Sequence, residues 1–565
     1  MSLLFYDIEV FKEDVIIVFK NEDKSTYKIM HNDFEGLDEI VTSFTLVGYN
    51  NYYYDDKIIT LIMDGYGYLK IKDFNDLIIH DGYKVKVSPK IDSLDCFQQI
   101  SVSKPSLKKV ENNLGQSIIE SSIDFNIDRK LTPDELEDTI KYCSYDVDTT
   151  IDVYKMRIID YFTPKKAIQN MLGGNIRWNT TTITGNYFQS NNKLFLPIID
   201  EDINKLLNHD LQLHFNNVSD NSYQRYILNE KGKTKSFDFN YYDNNIVIGA
   251  GGTHSTNNKF LHKPLNNIRC LDVASMYPNI MIKHNFLGSK TSKYKEILDK
   301  RLKLKSAGQT AEQLPYKLIL NTVYGLLGNE YSAIYDINKQ LSVCFIGQQY
   351  ILYLAQLFDD RGIEIVQINT DGIFFIENGK SQEAKTIWEE DIGLVLDYDD
   401  YKFLIQKDVN NYIGEFDNGK LKLKGSFVNN YYANAYFNVN SCAIIDKMVV
   451  DKVVYGIPFH ETVEKNKDNI ILFQQVCSLT HKFVGTIDSE GVEHGNQNRV
   501  FATVDGLTEL KKVKIVDGEK RYITFPDLPE HFKIYNDELD DKFDIKIDYN
   551  HYIKLAQRKY EAFMV

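Results

Sequence analysis

Four short segments follow one another along the 565 residues of this chain: Asp7-Ile8-Glu9, DVASMYP from Asp272, KLILNTVYG from Lys317, and NTDG from Asn369. Each sets carboxylates or a cation beside a short apolar run, so any fold must gather charged groups that lie hundreds of residues apart. The local geometry is already partly fixed. In a strand, residues two apart face the same side, so Asp7 and Glu9 share one face. Residues 132–157 read as a helix, with Thr132 as N-cap, Pro133 at its first position and Glu135 closing a capping box. On it Tyr142 and Asp146 are four apart and share a face. Asp55 stands in GYNNYYYDDKII, preceded by Asn50 and Tyr54. Asp56 beside it leaves a one-residue ambiguity, and the spacing from Asn50 together with the following Ile58–Ile59 favours Asp55.

These residue types suit two chemistries. Phosphodiester hydrolysis by two metals needs three or four converging carboxylates. Asp7, Glu9, Asp55 and Asp146 supply them, and a tyrosine hydroxyl at Tyr142 is placed to orient the attacking water. Phosphoryl transfer to a 3′-hydroxyl is mostly positioning and charge neutralisation. Asp272 ends a strand, and with the Val273 carbonyl it suits a triphosphate-bound metal; Asp371 is the second carboxylate. Tyr277 projects where a sugar would lie, and a ring there clashes with a 2′-hydroxyl. Lys317, Asn321, Tyr324 and Gly325 fall at i, i+4, i+7 and i+8, one stripe of a helix. Such a stripe is a poor core and a good nucleotide platform. Arg301 and Lys305, four apart on the preceding helix, extend the cationic side, although a solvated face accounts for them equally well.

The net charge of −15 argues against bulk attraction to nucleic acid. Local tracks remain: residues 293–305 carry six basic against two acidic side chains, and Lys420, Lys422 and Lys424 alternate. Six scattered cysteines without a CxxC pair fit a reducing cytoplasm. The amino terminus lacks a signal-peptide pattern, and no uninterrupted apolar run suggests a membrane span. A soluble cytoplasmic protein is expected.

Along the chain, residues 3–19 read as two antiparallel strands and Ile268–Leu271 as a strand. Residues 290–306 and 315–327 read as a helical hairpin, Glu364–Ile376 as strand–turn–strand, 461–478 as a helix, and a last helix follows Asp548. Gly251–Gly252 in IGAGGTHS imply a backbone bend with a close approach.

Taken in order, Asp7-x-Glu9, Asn50-x-x-x-Tyr54-Asp55 and Tyr142-x-x-x-Asp146 resemble the three exonuclease motifs of family B DNA polymerases. DVASMYP, KLILNTVYG and NTDG resemble that family's polymerase motifs A, B and C. IGAGGTHS is similar to its Gly-Gly segment. Tyr412 and KLKG, with Lys422, Lys424 and Gly425, are similar to its duplex-tracking elements. The resemblance implies an α/β (α+β multidomain) protein with an RNase H-like 3′–5′ exonuclease over 1–160 and a connecting region over 161–260. A right-hand polymerase follows, with palm at 261–284 and 331–430, fingers at 285–330 and thumb at 431–565. It also implies two Mg²⁺ per active site (or Mn²⁺), primer-template DNA and dNTPs as partners, and DNA contacts at Gly251, Gly252, Gly325, Tyr412, Lys422, Lys424 and Gly425. A monomer working with a helicase, clamp or single-strand-binding protein is expected, in a host cytoplasm if phage-encoded.

Motif C departs from the family: its first aspartate is Asn369 and its serine is Gly372, which sets Asp371–Gly372 up as a tight turn. The 45 positions from Asp272 to Lys317 and the 46 from Gly325 to Asp371 leave no room for the insertions of protein-primed members. With the short segment before Asp7, this points to a compact, bacteriophage-type enzyme. Two rivals stand beside it, a nuclease with a decayed polymerase half and a protein-primed replicase.

Overall fold

The computed structural model describes residues 2–121, 123–220, 235–241, 244–432, 441–480 and 482–565. Its first sheet has the order β3-β2-β1-β4-β5, built from β1 (Ser2–Val10), β2 (Val15–Lys20), β3 (Thr26–His31), β4 (Phe44–Gly48) and β5 (Ser93–Asp95). β1 pairs in parallel with β4, and β4 with β5, so β2 alone runs against the rest. All six residues of β2 are buried, as expected of a strand covered on both faces. Leu4, Tyr6 and Ile8 pack into one layer with Val15, Ile17 and Phe19. Phe5, Ile16 and Val18 pack on the other side against Cys143, Val147 and Ile151 of the helix Pro133–Arg157. Asp7 and Glu9 continue the Phe5 face and therefore emerge under that helix. Thr132 caps the helix in a complete capping box, with the Glu135 carboxylate accepting from the Thr132 amide at 2.9 Å.

The second sheet holds nine strands, every neighbouring pair antiparallel, in the order β14-β13-β12-β9-β11-β10-β8-β7-β6. They are β6 (Phe237–Tyr241), β7 (Asn244–Ile248), β8 (Thr253–Thr256), β9 (Leu265–Val273), β10 (Ile365–Asn369), β11 (Gly372–Ile376), β12 (Leu396–Asp408), β13 (Asn411–Phe416) and β14 (Leu421–Lys424). Strands β6–β8 thus belong to the sheet that carries Asp272, not to a connecting region ending at residue 260. Short strands beside glycines give no periodic signal; β8 pairs with β10, β7 with β8 and β6 with β7. Between β9 and β10 the chain builds the helices Met276–Lys283, Thr291–Ser306, Thr310–Leu327 and Ile337–Asp359. The last is long and apolar enough to cross a membrane by length and composition, contrary to the sequence reading. However, 94% of its most apolar window is buried inside the fold, where Phe358 meets Phe375 edge-to-face at 4.8 Å.

Beyond residue 440 the single helix expected over 461–478 is three elements: a helix Phe459–Asn466, a 3-10 turn Ile470–Phe473 and a strand Gln475–Ser478. The strand pairs with Gln497–Leu507, and that pairing overrides local helix preference. Arg499 on the partner strand is fully buried. It donates to the carbonyls of Asn112 (3.3 Å), Gln116 (2.9 Å) and Asp537 (2.7 Å), tying this region to the amino-terminal module. The closing helix Tyr549–Met564 returns to the nine-stranded sheet, where Phe563 packs with Ile405, Ile413 and Leu421.

The capping box makes a local prediction. Thr132→Ala should speed amide exchange over residues 134–138 about 5-fold, for about 1 kcal/mol of lost capping, as read by hydrogen-exchange mass spectrometry. Unchanged exchange would mean that tertiary contacts alone fix the start of this helix.

Candidate active sites

In the amino-terminal module, ligand atoms of Asp7, Glu9 and Cys143 lie within 4.8 Å of one another. Asp55 opens the helix Asp55–Met63, is 4% exposed, and its buried Oδ1 has no hydrogen-bond partner among the described residues. Asp56 is different. Its carboxylate accepts from Tyr6 (2.5 Å), Ser93 (2.8 Å), Asn51 (3.3 Å) and Arg177 (2.5 Å), a fully satisfied structural anchor. Of the two neighbours, Asp55 has the unpartnered carboxylate oxygen and lies close enough to Asp7 for their charges to repel. Asn50 and Tyr54 shape the loop, the Asn50 amide donating to Asp95 (2.8 Å) and the Tyr54 hydroxyl to Asn75 (2.5 Å).

Burial pushes the Asp7 carboxyl up to about 7, with Asp146 adding to the rise and Lys108 opposing it. Burial, then the neighbouring carboxylates, holds Glu9 and Asp55 well above the usual range. Burial also raises Asp146, against Lys108 and a hydrogen bond from Tyr142. Lys108, absent from the sequence reading, contacts Asp146 and lies 4.5 Å from the Tyr142 ring centroid. Nothing in KKVENN sets it apart from Lys109. Half-buried Asp7 and buried Glu9, Asp55 and Asp146 repel one another and offer hard oxygen donors that suit a divalent cation. The ligand atoms within 4.8 Å of one another, however, are those of Asp7, Glu9 and the Cys143 sulfur.

The second centre sits where β9 and β11 pair, with Asp272 opposite Gly372. A Cβ on Gly372 would lie 2.1 Å from the Asp272 Oδ1. The carboxylate takes the space a side chain at 372 would need; the tight turn expected at Asp371–Gly372 lies one residue earlier, at Thr370–Asp371, with Thr370 left-handed at φ 57°. The Val273 amide donates to the Asp371 carbonyl at 2.8 Å, locking the two acidic segments together. Burial, Asp371 and Asp399 push Asp272 up to about 7. Asp371, exposed at the turn tip, is raised by the protein packed around its carboxyl and drawn back by Lys422 and Lys424. Asn369 turns its amide to the Val409 carbonyl at 3.1 Å. Asp397 pairs directly across from Asp272, and Asp399 from Cys270. Their alternation in LDYDDYK is itself a strand signal.

Above this centre, Lys317, Asn321 and Gly325 are exposed and Tyr324 is half-buried, while Ile319, Leu320, Val323 and Leu326 face the core. The Tyr277 and Tyr324 rings lie 4.4 Å apart. Arg301 donates to Ser275 at 3.0 Å, and Lys305 lies 3.5 Å from Asp397, so both reach across to the acidic sheet. Gly252 approaches Thr370, with a Cβ there meeting its Oγ1 at 2.4 Å, and the Gly251 carbonyl accepts from Gln348. Tyr412 is only 3% exposed and packs edge-on to Phe374, so its ring offers no face for stacking on a duplex. Gly425, at φ 101°, closes on Asn411 and places Lys422 and Lys424 beside Asp371.

No protein-family profile matches the chain. A stretch aligned over 203 residues is 26% identical to a DNA polymerase of Archaeoglobus fulgidus, covering 28% of this chain and 26% of that protein. The chain thus matches about a quarter of the length of that curated relative. Superposition on the family B DNA polymerase of the archaeon Pyrobaculum calidifontis gives a TM-score of 0.41 at 15% identity, over 99% of this chain and 77% of that one.

Two measurements test these centres. Asp7 and Asp272 keep their protons up to about pH 7 when folded, against an ordinary 3.8. The stability this contributes is full below about pH 4 and drains away as pH rises through 7. Mg²⁺ should therefore raise Tm more at pH 8 than at pH 5, and equal gains would count against a carboxylate site. Gly372→Ala should displace the Asp272 carboxylate and cut the Mg²⁺-dependent Tm gain by about half or more. An unaltered gain would show that Asp272 has room to spare.

Proposed function

We propose that this chain is a template-directed DNA polymerase of the family B type, whose amino-terminal module removes nucleotides from 3′ ends. The observation that carries the reading is the joining of Asp272 and Asp371 across paired strands beneath an exposed stripe of Lys317, Asn321 and Gly325 with Tyr324. The aligned stretch similar to an archaeal DNA polymerase supports it. The sheet order 3-2-1-4-5 with only β2 reversed supports an RNase H-like amino-terminal module. The short connections on either side of Lys317–Gly325 support a compact enzyme that extends a nucleic-acid primer, as in bacteriophage replication.

Asp272, the Val273 carbonyl and Asp371 would hold Mg²⁺, which when bound neutralises triphosphate charge and lowers the pKa of the attacking hydroxyl. The chain's own side chains do the rest. Lys317, with Arg301 and Lys305, neutralises the phosphates. Tyr324 stands beside the nascent pair, and Tyr277, held against it, closes the space a 2′-hydroxyl would need. Lys422 and Lys424 face the acidic centre from the sheet edge and meet the primer backbone. In the amino-terminal centre, Asp7, Glu9, Asp55 and Asp146 would hold the ions, and the Tyr142 hydroxyl orients water for attack on the terminal phosphodiester. Mispaired ends reach that centre more readily because they unpair at lower cost.

A nuclease with a silent palm is the second reading, favoured by Asn369, which removes one negative charge from the polymerase centre. Primer extension on a recessed duplex decides between them. Wild type should extend with dNTPs and shorten the 3′ end without them. Asp371→Ala should lose extension by at least about 100-fold and keep shortening, while Asp7→Ala should do the reverse. Shortening under both conditions, with no extension from Asp7→Ala, would establish the second reading.

A further inference from the structure

Lys108 introduces a positive charge into the amino-terminal centre that the carboxylate chemistry does not itself require. Its side chain is 14% exposed, its Nζ contacts Asp146 and lies 3.1 Å from Glu111, and Glu111 is completely buried. The same ammonium faces the Tyr142 ring. Lys108 also lines a cleft of about 590 Å³, together with Tyr142 and Phe125 on one wall and Thr480, Phe483 and Gln497 on the other. It therefore has space into which it can withdraw.

The helix that carries it, Leu107–Leu114, is fixed at both ends. Ser106 caps its start, accepting from the Lys109 amide. Its far end is held by the carboxyl-terminal segment. Arg499 donates to the Asn112 and Gln116 carbonyls, the Leu539 amide to Gly115 (2.8 Å), and the Ile118 amide to Asn536 (2.7 Å). The position of Lys108 relative to Asp146 is thus set by a part of the chain nearly 400 residues away.

We propose that Lys108 is a positioning residue and resident counter-cation of the amino-terminal centre, occupying Asp146 in competition with the divalent ion and held there by the docked carboxyl-terminal segment. A unit positive charge at hydrogen-bond distance from one ligand, in a site shielded from water, opposes entry of a second cation. Metal affinity at this centre is accordingly weaker than its four carboxylates alone would give, and it depends on how the Arg499 strand is seated. The inference rests on reading this cluster as the metal centre of the nuclease.

The test is Mn²⁺ binding to the full-length chain, by calorimetry and by electron paramagnetic resonance, in an Asp371→Ala background that weakens the palm site. Adding Asp7→Ala should remove the amino-terminal binding event. Adding Lys108→Gln should tighten that event at least about 10-fold, and Lys108→Met, which keeps the stem packed, should do the same. Lys108→Arg should stay near the parent. Arg499→Lys, which keeps the charge but loses the forked donors, should shift affinity in the direction of Lys108→Gln. Binding that is unchanged or weaker in both Lys108→Gln and Lys108→Met, while still abolished by Asp7→Ala, would overturn the proposal and leave the metal-centre reading intact. Binding indifferent to Asp7→Ala would overturn both. Tightening by the Lys108 variants without any shift in Arg499→Lys would overturn the dependence on the carboxyl-terminal segment.

Discussion

Both centres depend on one constraint: apolar strand pairing forces carboxylates together where water cannot fully separate them. Phe5, Ile16 and Val18 gain by burial against the helix Pro133–Arg157, and that packing carries Asp7 and Glu9 under Asp146. Leu271, Val273, Ile373 and Phe375 gain by burial on the helix Ile337–Asp359, and their register sets Asp272 over Gly372. In each case the side chains that stabilise the fold alternate with those that strain it electrostatically. The strain appears as carboxyls that hold protons toward neutral pH. A cation relieves it, so the affinity of these sites is stored in the folding of the sheets around them.

Much of this was legible in the sequence where a local rule applies. The Thr132-Pro133-Glu135 start, the Lys317-to-Gly325 stripe and the strand–turn–strand around Asp371 each follow from the spacing of a few residues. What escaped notice depends on partners distant in sequence. Lys108 looks like any helical lysine until Asp146 is placed beside it. The strands β6–β8 become strands through a chain of pairings, β8 on β10, β7 on β8 and β6 on β7, and Gln475–Ser478 by pairing with Gln497–Leu507. Tyr412 read as a contact for DNA, but its ring is consumed by the core with Phe374. At Gly372 the glycine signals a turn, which lies one residue earlier, but not the Asp272 carboxylate, 100 residues earlier, that fills the space beside it.

Asn369 adds no charge to the acidic centre and serves it by a hydrogen bond. Its amide binds the Val409 carbonyl and so ties the turn after β10 to the turn between β12 and β13. An aspartate in that orientation would face a carbonyl oxygen with no proton to offer. The part this residue plays is structural, while Asp397 and Asp399 keep the neighbouring strand acidic.

The contact between Asp272 and residue 372 also bears on how such a chain can change over time. With a glycine at 372, the carboxylate has settled into the volume that a side chain would occupy. Placing a side chain there is not a neutral step, because the aspartate must take another orientation, and its neighbours Asp371, Asp397 and Asp399 repel it. The small residue and the acidic one are therefore tied as a pair, each fixing the room left to the other.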